Sequence, residues 1–251
     1  VFADIFGAED ALVRHSFMSG THAISVALFG ILRPGDVMLS ITGRPYDTLI
    51  DVIGLNGKGN GPLIDFGIKY DEVPLNGEGR IDREKVLQKL TPEVRVVYMQ
   101  RSRGYTLRPT LSVEDIEEIT ASVKAVRPDV VVMVDNCYGE FTNKEEPSQF
   151  GADILVGSLI KNLGGGISPN GAYVVGKKEL INLVAERLTL PGEGKEVGPT
   201  LGMNKKILQG LFFAPSVVAS SLKTAVLTSR VMEELGYETE PRYNEPRTDI
   251  V

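Results

Sequence analysis

Apolar and polar positions along the chain switch repeatedly between a helical and a strand period. SGTHAISVALFGILRPGD, residues 19–36, has helical spacing, opens near Gly20 and is stopped by the Pro34-Gly35 turn. DVMLSI then predicts a strand, YDTLIDVIG a short helix, LNGKGNGPLIDFG a glycine-rich loop, IKYDEVPL a strand and IDREKVLQKL a helix ended by Pro92. VRVVYMQ is rich in β-branched residues. The next run, SVEDIEEITASVKAVRP, starts with a capping box, Ser112 with Asp115, and spaces Ile116, Ile119, Val123 and Val126 on one helical face. VVVMVD is almost wholly apolar, as expected of a strand buried on both faces. DILVGS and GAYVVG predict two more strands and KKELINLVAERL a helix. A longer helical region runs from about Lys205 to Leu235, with an expected break near Pro215.

Strands alternating with amphipathic helices imply an α/β fold, a mainly parallel sheet sandwiched by helices. In such sheets a ligand sits beyond the carboxyl ends of the strands. That rule gathers three groups at one edge: Asp135 after VVVMV, Gln100, Arg101 and Ser102 after VRVVYM, and Ser158 and Lys161 after DILVG.

Composition narrows the function classes. The formal net charge of −6 and the absence of a basic block argue against nucleic acid as a partner. Cys137 is the single cysteine, which excludes a disulfide framework and fits a cytoplasmic setting. LFFAPSVVASSLKTAVLTS, residues 211–229, is the most apolar long stretch; Pro215, its serines and Lys223 favour a buried helix over a membrane span. Val1 stands where a methionine would start a chain, and near the other end GYETEPRYNEPR turns polar and proline-rich. The expectation is a piece of a longer protein, with residues 1–236 a large cofactor domain and 237–251 the start of a linker or small C-terminal domain.

A lysine and a carboxylate at the ends of different strands, with an anion-binding helix start, suit pyridoxal phosphate. The Lys161 amine can bond the cofactor aldehyde, Asp135 can pair with its ring nitrogen, and the backbone at Ser19-Gly20-Thr21 can take the phosphate. Tyr46 is the candidate ring to stack on it. Each part also has a structural reading: Asp135 as a cap, Ser19 as an ordinary N-cap, Tyr46 as a core edge, Lys161 as a loop lysine. The three glycines of GSLIKNLGGG read as room for a group lying close to the backbone.

SGTHAIS, VDNCYGEF and GSLIKNLGGG, in that order, resemble the fold-type I pyridoxal phosphate enzymes, and within them the cystathionine and methionine lyase group. QRSRGY and NLGGGI resemble its methionine gamma-lyase-like branch of aluminium-resistance proteins. The resemblance spans the whole chain and implies the large domain of that group, in a homodimer or dimer of dimers. It implies a carbon–sulfur lyase that eliminates from a sulfur-containing amino acid, with an aminotransferase or a non-catalytic binding protein as alternatives. Lys161 would be the Schiff-base lysine and general base, and Asp135 the partner of the ring nitrogen. Ser19, Gly20, Thr21 and Ser158 would bind phosphate, and Tyr46 would stack and act as acid. Tyr138 stands where some fold-type I relatives place a tyrosine near the ring hydroxyl. Ile160 departs from the threonine usual before the lysine, which removes one phosphate contact, and RPYDT is one residue out of step with the usual pattern around the tyrosine.

Arg101 is the candidate for a substrate carboxylate, with Arg103 beside it. Cys137 reads as structural, having no neighbouring histidine in sequence, and His15 and His22 lack metal-ligand spacing. PGEGKEVGPTLG, residues 191–202, predicts a loop, and its GEGK lacks the spacing of a phosphate-binding P-loop.

Overall fold

The computed structural model describes residues 1–250. Seven strands form one sheet: β1 (Asp10–Arg14), β2 (Val37–Ser40), β3 (Lys69–Glu72), β4 (Val94–Gln100), β5 (Val131–Asp135), β6 (Ile154–Ser158) and β7 (Ala172–Gly176). Their order is β1-β7-β6-β5-β4-β2-β3, and β7 alone runs against the direction of the other six. Every residue of β5, β6 and β7 is buried, which explains why their sequences read as unbroken apolar runs. β1 escapes the sequence pattern because only Leu12 of its five residues is buried.

Helices cover both faces. On one lie α2 (Gly20–Ile31), α3 (Asp47–Ile53) and α6 (Lys178–Leu188), with Ile24, Leu28, Leu49 and Ile181 in the core. On the other lie α1 (Phe2–Phe6), α4 (Arg83–Gln88), α5 (Val113–Val126) and the first half of α7 (Met203–Glu234). The capping box opens α5 as expected, with Ser112 and Asp115 exchanging both bonds, and Ile116, Ile119 and Val123 point inward. Each such fully buried aliphatic side chain contributes roughly 1.5–3 kcal/mol.

α7 corrects two expectations. It runs through Pro215 without a break, giving up only the proline's own bond to the Leu211 carbonyl. It is also mostly uncovered. By length and composition it would suffice to cross a membrane, and 22% of its most apolar window is buried. The stripe Ile207, Leu211, Ala214 and Val218 packs inward while Phe212, Leu227 and Val231 face out, so the expected buried helix is buried along one narrow stripe.

After α7 the chain turns back onto the sheet edge. Arg247 donates to Ser229 (2.8 Å) and to the Pro241 carbonyl, and Asp249 is buried, accepting from the Arg103 N–H. The Ile250 N–H donates to the Tyr138 carbonyl (3.2 Å).

Candidate active site

The parallel registers align strand ends: Gln100 pairs with Asp135 and Asp135 with Val156. This brings the tails of β4, β5 and β6 to one edge, where α2 also begins. Asp135 is 4% exposed; its Oδ1 accepts the Cys137 N–H at 3.1 Å and its Oδ2 the Tyr98 hydroxyl at 3.5 Å. Burial pushes its carboxyl above the usual carboxylate range, against the opposing pull of Lys161 and the Cys137 N–H.

Lys161 follows β6 by three residues, and its Nζ lies 4.1 Å above the centre of the Tyr138 ring. Burial works to release the amine's proton. The acidic surroundings, Cys137, Asp135, Tyr138 and Glu140, outweigh it, so the amine holds its proton more tightly than a free lysine. Tyr138 itself has φ +69°, a left-handed conformation that strains a non-glycine residue.

Gly20 brings α2 against this pair. A Cβ there would meet Ser158 Cβ at 3.2 Å and Cys137 Sγ at 3.5 Å. Ser19 caps the helix by accepting the His22 N–H at 3.1 Å, and the Gly20 and Thr21 N–H groups belong to the first turn, where the helix itself supplies no acceptor. Thr21 Oγ1 lies 3.1 Å from Tyr46 Oη and 3.2 Å from Thr48 Oγ1. Burial, aided by the charge of Asp135, keeps the Tyr46 phenol protonated. Ser158 Oγ accepts the Ile160 N–H at 3.3 Å, which leaves its own O–H free to donate.

Arg101 is not part of this cluster. Its side chain is 0% exposed. It donates to Asn136 Oδ1 (2.8 Å) and Asn143 Oδ1 (3.2 Å) and pairs with the buried Glu146 at 3.4 Å. The space it fills exists because residue 139 is glycine, where a Cβ would lie 2.5 Å from the arginine side chain. The expectation of a carboxylate-binding Arg101 therefore fails: it ties together the loop after β5. Arg103 is likewise turned inward, donating from Nε to the Thr106 carbonyl at 3.0 Å.

The glycines after Lys161 have a different reason from the one expected. A Cβ on Gly164 would lie 1.6 Å from the Leu159 carbonyl oxygen, and one on Gly165 would lie 2.4 Å from that of Gly210. The close approach at Gly164 comes from its own turn and that at Gly165 from helix α7, while a Cβ on Gly166 would meet nothing within 4 Å. The loop at residues 191–202 packs on its own chain, where Arg14 donates to the Lys195 carbonyl and His15 Nε2 lies 2.8 Å from the Pro199 carbonyl. Among the described residues no cluster of histidine, cysteine and carboxylate side chains is placed to hold a metal.

Three residues of this region escape the sequence pattern. Tyr98 sits inside an apolar strand and looks like core, yet it reaches Asp135. Glu140 is fully buried and accepts the Tyr173 hydroxyl at 2.8 Å. Asn162 donates to the Glu140 carbonyl at 2.9 Å. The only signal was a glutamate set directly between Gly139 and Phe141.

Residues 1–251 match the family described as methionine gamma-lyase. The chain is 47% identical over its whole length to the Bacillus subtilis protein YnbB, of which it spans 60%. It is 48% identical to a crystal structure of a carbon-sulfur lyase involved in aluminium resistance from Clostridium novyi, with a TM-score of 0.96 over 99% of this chain and 60% of that one. An L-methionine gamma-lyase of Treponema denticola is 30% identical over 78% of this chain and 43% of its own length. Matched from end to end by the family's pattern, and superposable on a carbon-sulfur lyase along almost all of its length, the chain belongs to the methionine gamma-lyase family.

Proposed function

We propose that this chain is the cofactor-binding part of a pyridoxal phosphate-dependent carbon–sulfur lyase, which eliminates the sulfur group of a sulfur-containing amino acid in the α,β or α,γ sense. The observation that carries the reading is the meeting of Lys161, buried Asp135 and the open first turn of α2 at one sheet edge. That donor set fits the cofactor part by part: an amine for its aldehyde, a carboxylate for its ring nitrogen, and free N–H and O–H groups for its phosphate. Lys161 would hold it covalently, Asp135 at the ring nitrogen, and Gly20, Thr21, Ser19 and Ser158 at the phosphate. Tyr46 and Tyr138 would flank it.

When bound, pyridoxal phosphate supplies an electron sink for charge that develops at the substrate Cα. The chain's own groups handle the protons. Lys161 Nζ takes the Cα proton as general base, a task for which the surrounding acids must first be balanced, since unaided they keep the amine protonated. Tyr46 Oη, protonated and steadied by Thr21, is the acid for the departing thiolate. Asp135 is buried, so a negative charge on it would act strongly on a ring nitrogen, and a cationic ring would in turn favour that charge. A homodimer or dimer of dimers in the cytoplasm completes the reading; the outward apolar residues of α7 offer surface for a second subunit.

The test is borohydride treatment of the purified full-length protein with mass mapping of its lysines. Fixation of the cofactor on Lys161, together with release of thiol and keto acid from a sulfur amino acid and its loss in Lys161→Ala, is the expected result. Full activity in Lys161→Ala, or return of the cofactor in its amine form with a transferred amino group, would sink the lyase reading.

A further inference from the structure

Behind the lysine lies a carboxyl group that the mechanism above leaves unused. Glu140 is 0% exposed, on the loop that follows Asp135 and carries Cys137 and Tyr138. Its Oε1 accepts the Tyr173 hydroxyl at 2.8 Å, while its Oε2 is buried with no hydrogen-bond partner among the described residues. Its main-chain carbonyl takes the Asn162 side-chain N–H at 2.9 Å, and Asn162 is the residue directly after Lys161. The loop of Glu140 is thus tied to the lysine's own loop, and its charge bears on the amine.

We propose that Glu140 is a positioning residue for Lys161: through its bonds to Tyr173 and Asn162 it fixes the turn from which the lysine projects and sets a carboxyl group behind it. The proposal rests on Lys161 being the reactive lysine. The other groups facing the amine are Cys137, Asp135 and Tyr138; those facing Glu140 are Tyr173, Glu146 and Lys161 itself. Burial pushes the Glu140 carboxyl up to about 8, against the pull of its backbone and Tyr173 bonds. A group so placed is neutral below that pH and charged above it, where Lys161 titrates. Its influence therefore has a pH window that a purely structural role would lack.

The experiment uses full-length protein freed of cofactor and trace acetylation by acetic anhydride, with Lys161 followed by mass mapping across pH. Glutamine at 140 still accepts the Tyr173 hydroxyl, so Glu140→Gln keeps that bond. Expected is acetylation of Lys161 faster by roughly three- to tenfold well above pH 8, because losing one nearby negative charge lowers an amine's proton affinity by about half a unit to one unit. Below about pH 7 the wild-type and variant rates converge, since Glu140 is then neutral. Tyr173→Phe gives a second reading if the glutamine variant does not fold. It removes a hydrogen bond that favours the carboxylate, so its excess labelling is confined to a band above pH 8 and fades at the alkaline end. Profiles that superimpose on wild type, or a rise equal at every pH, would overturn the charge role. The measurement needs no cofactor, so failure here is distinct from failure of borohydride trapping.

Discussion

Alanine at Gly165 and alanine at Gly166 should have very different consequences, although the residues are adjacent and share a left-handed conformation, φ +54° and +72°. At Gly166 a Cβ would meet nothing within 4 Å. The cost there is the left-handed backbone alone, about 1–2 kcal/mol. At Gly165 the same strain is joined by a contact of 2.4 Å with the Gly210 carbonyl and 3.2 Å with the Ala214 N, both main-chain atoms of α7. Neither can rotate away, so the lysine loop and the helix must separate by several tenths of an ångström, an overpacking cost of about 1–3 kcal/mol more. The Gly165 N–H is bonded to the Asn162 carbonyl at 3.1 Å, so the shift is passed to the turn beside Lys161. Urea titrations should place Gly165→Ala at about 2–5 kcal/mol below wild type and Gly166→Ala at no more than about 2 kcal/mol below it. Only Gly165→Ala should also slow borohydride fixation at Lys161. Gly210→Ala, whose Cβ would stand 2.3 Å from the Gly164 carbonyl, makes the same kind of clash without left-handed strain, so it should also slow fixation at a smaller cost in stability than Gly165→Ala. Equal losses at Gly165 and Gly166 would refute close approach as the reason for the glycines.

Other perturbations separate the roles of the buried charges. Asp135→Asn keeps an acceptor for the Cys137 N–H and removes a carboxylate whose burial outweighs its pairing, so urea stability near neutral pH should be unchanged or raised by up to about 1 kcal/mol while lyase turnover falls about 10²–10³-fold; a clear loss of stability would contradict that balance. Arg101→Met leaves Glu146 buried without its charge partner and should cost about 3–5 kcal/mol in urea unfolding; a raised KM with unchanged stability would return Arg101 to substrate binding. Glu140, pushed up from 4.5 to about 8, favours the folded state in its neutral form. That contribution is complete below the ordinary carboxylate range and disappears as pH rises through about 8, so the wild-type urea midpoint should fall across that interval more steeply than that of Glu140→Gln. Parallel slopes would show that the carboxyl does not titrate there.

The layers of the fold were legible because burial on both faces leaves an unmistakable sequence mark. VVVMVD and ILVGS contain nothing but strand-core residues until the polar residue that ends each, and that polar residue is where the candidate site collects. The rule that ligands gather beyond strand carboxyl ends therefore brought Asp135, Ser158 and Lys161 to one edge without any coordinates. It failed at Arg101 for a physical reason: a strand-end side chain can turn back beneath the loop as readily as outward. Which way it turns is decided by Glu146, forty-five residues later, and by the missing Cβ of Gly139. Tyr98 and Glu140 were illegible for the converse reason, since one is a polar tip on an apolar strand and the other a charge where burial would not be guessed. The proline in α7 misled because a break was inferred from one lost hydrogen bond, whereas the Ile207–Val218 stripe holds the helix on both sides of it.

The features that set the geometry around Lys161 come from far along the chain. On one side the lysine turn is seated on α7 through Gly164, Gly165 and Gly210. On the other, the ring beneath its amine belongs to Tyr138, held at φ +69°. A left-handed tyrosine is strained, and such a conformation persists only where its surroundings fix it. Here the segment after α7 supplies those surroundings: the Ile250 N–H bonds the Tyr138 carbonyl, the Thr142 hydroxyl bonds the Thr248 carbonyl, and Thr248 meets Thr110 at 2.5 Å. Both walls of the lysine's surroundings therefore depend on residues beyond 200, though every residue carrying the proposed chemistry lies before 162. Sequence motifs single out the candidate groups; the distance and field between them are fixed by a helix and a returning segment whose contacts no local pattern encodes.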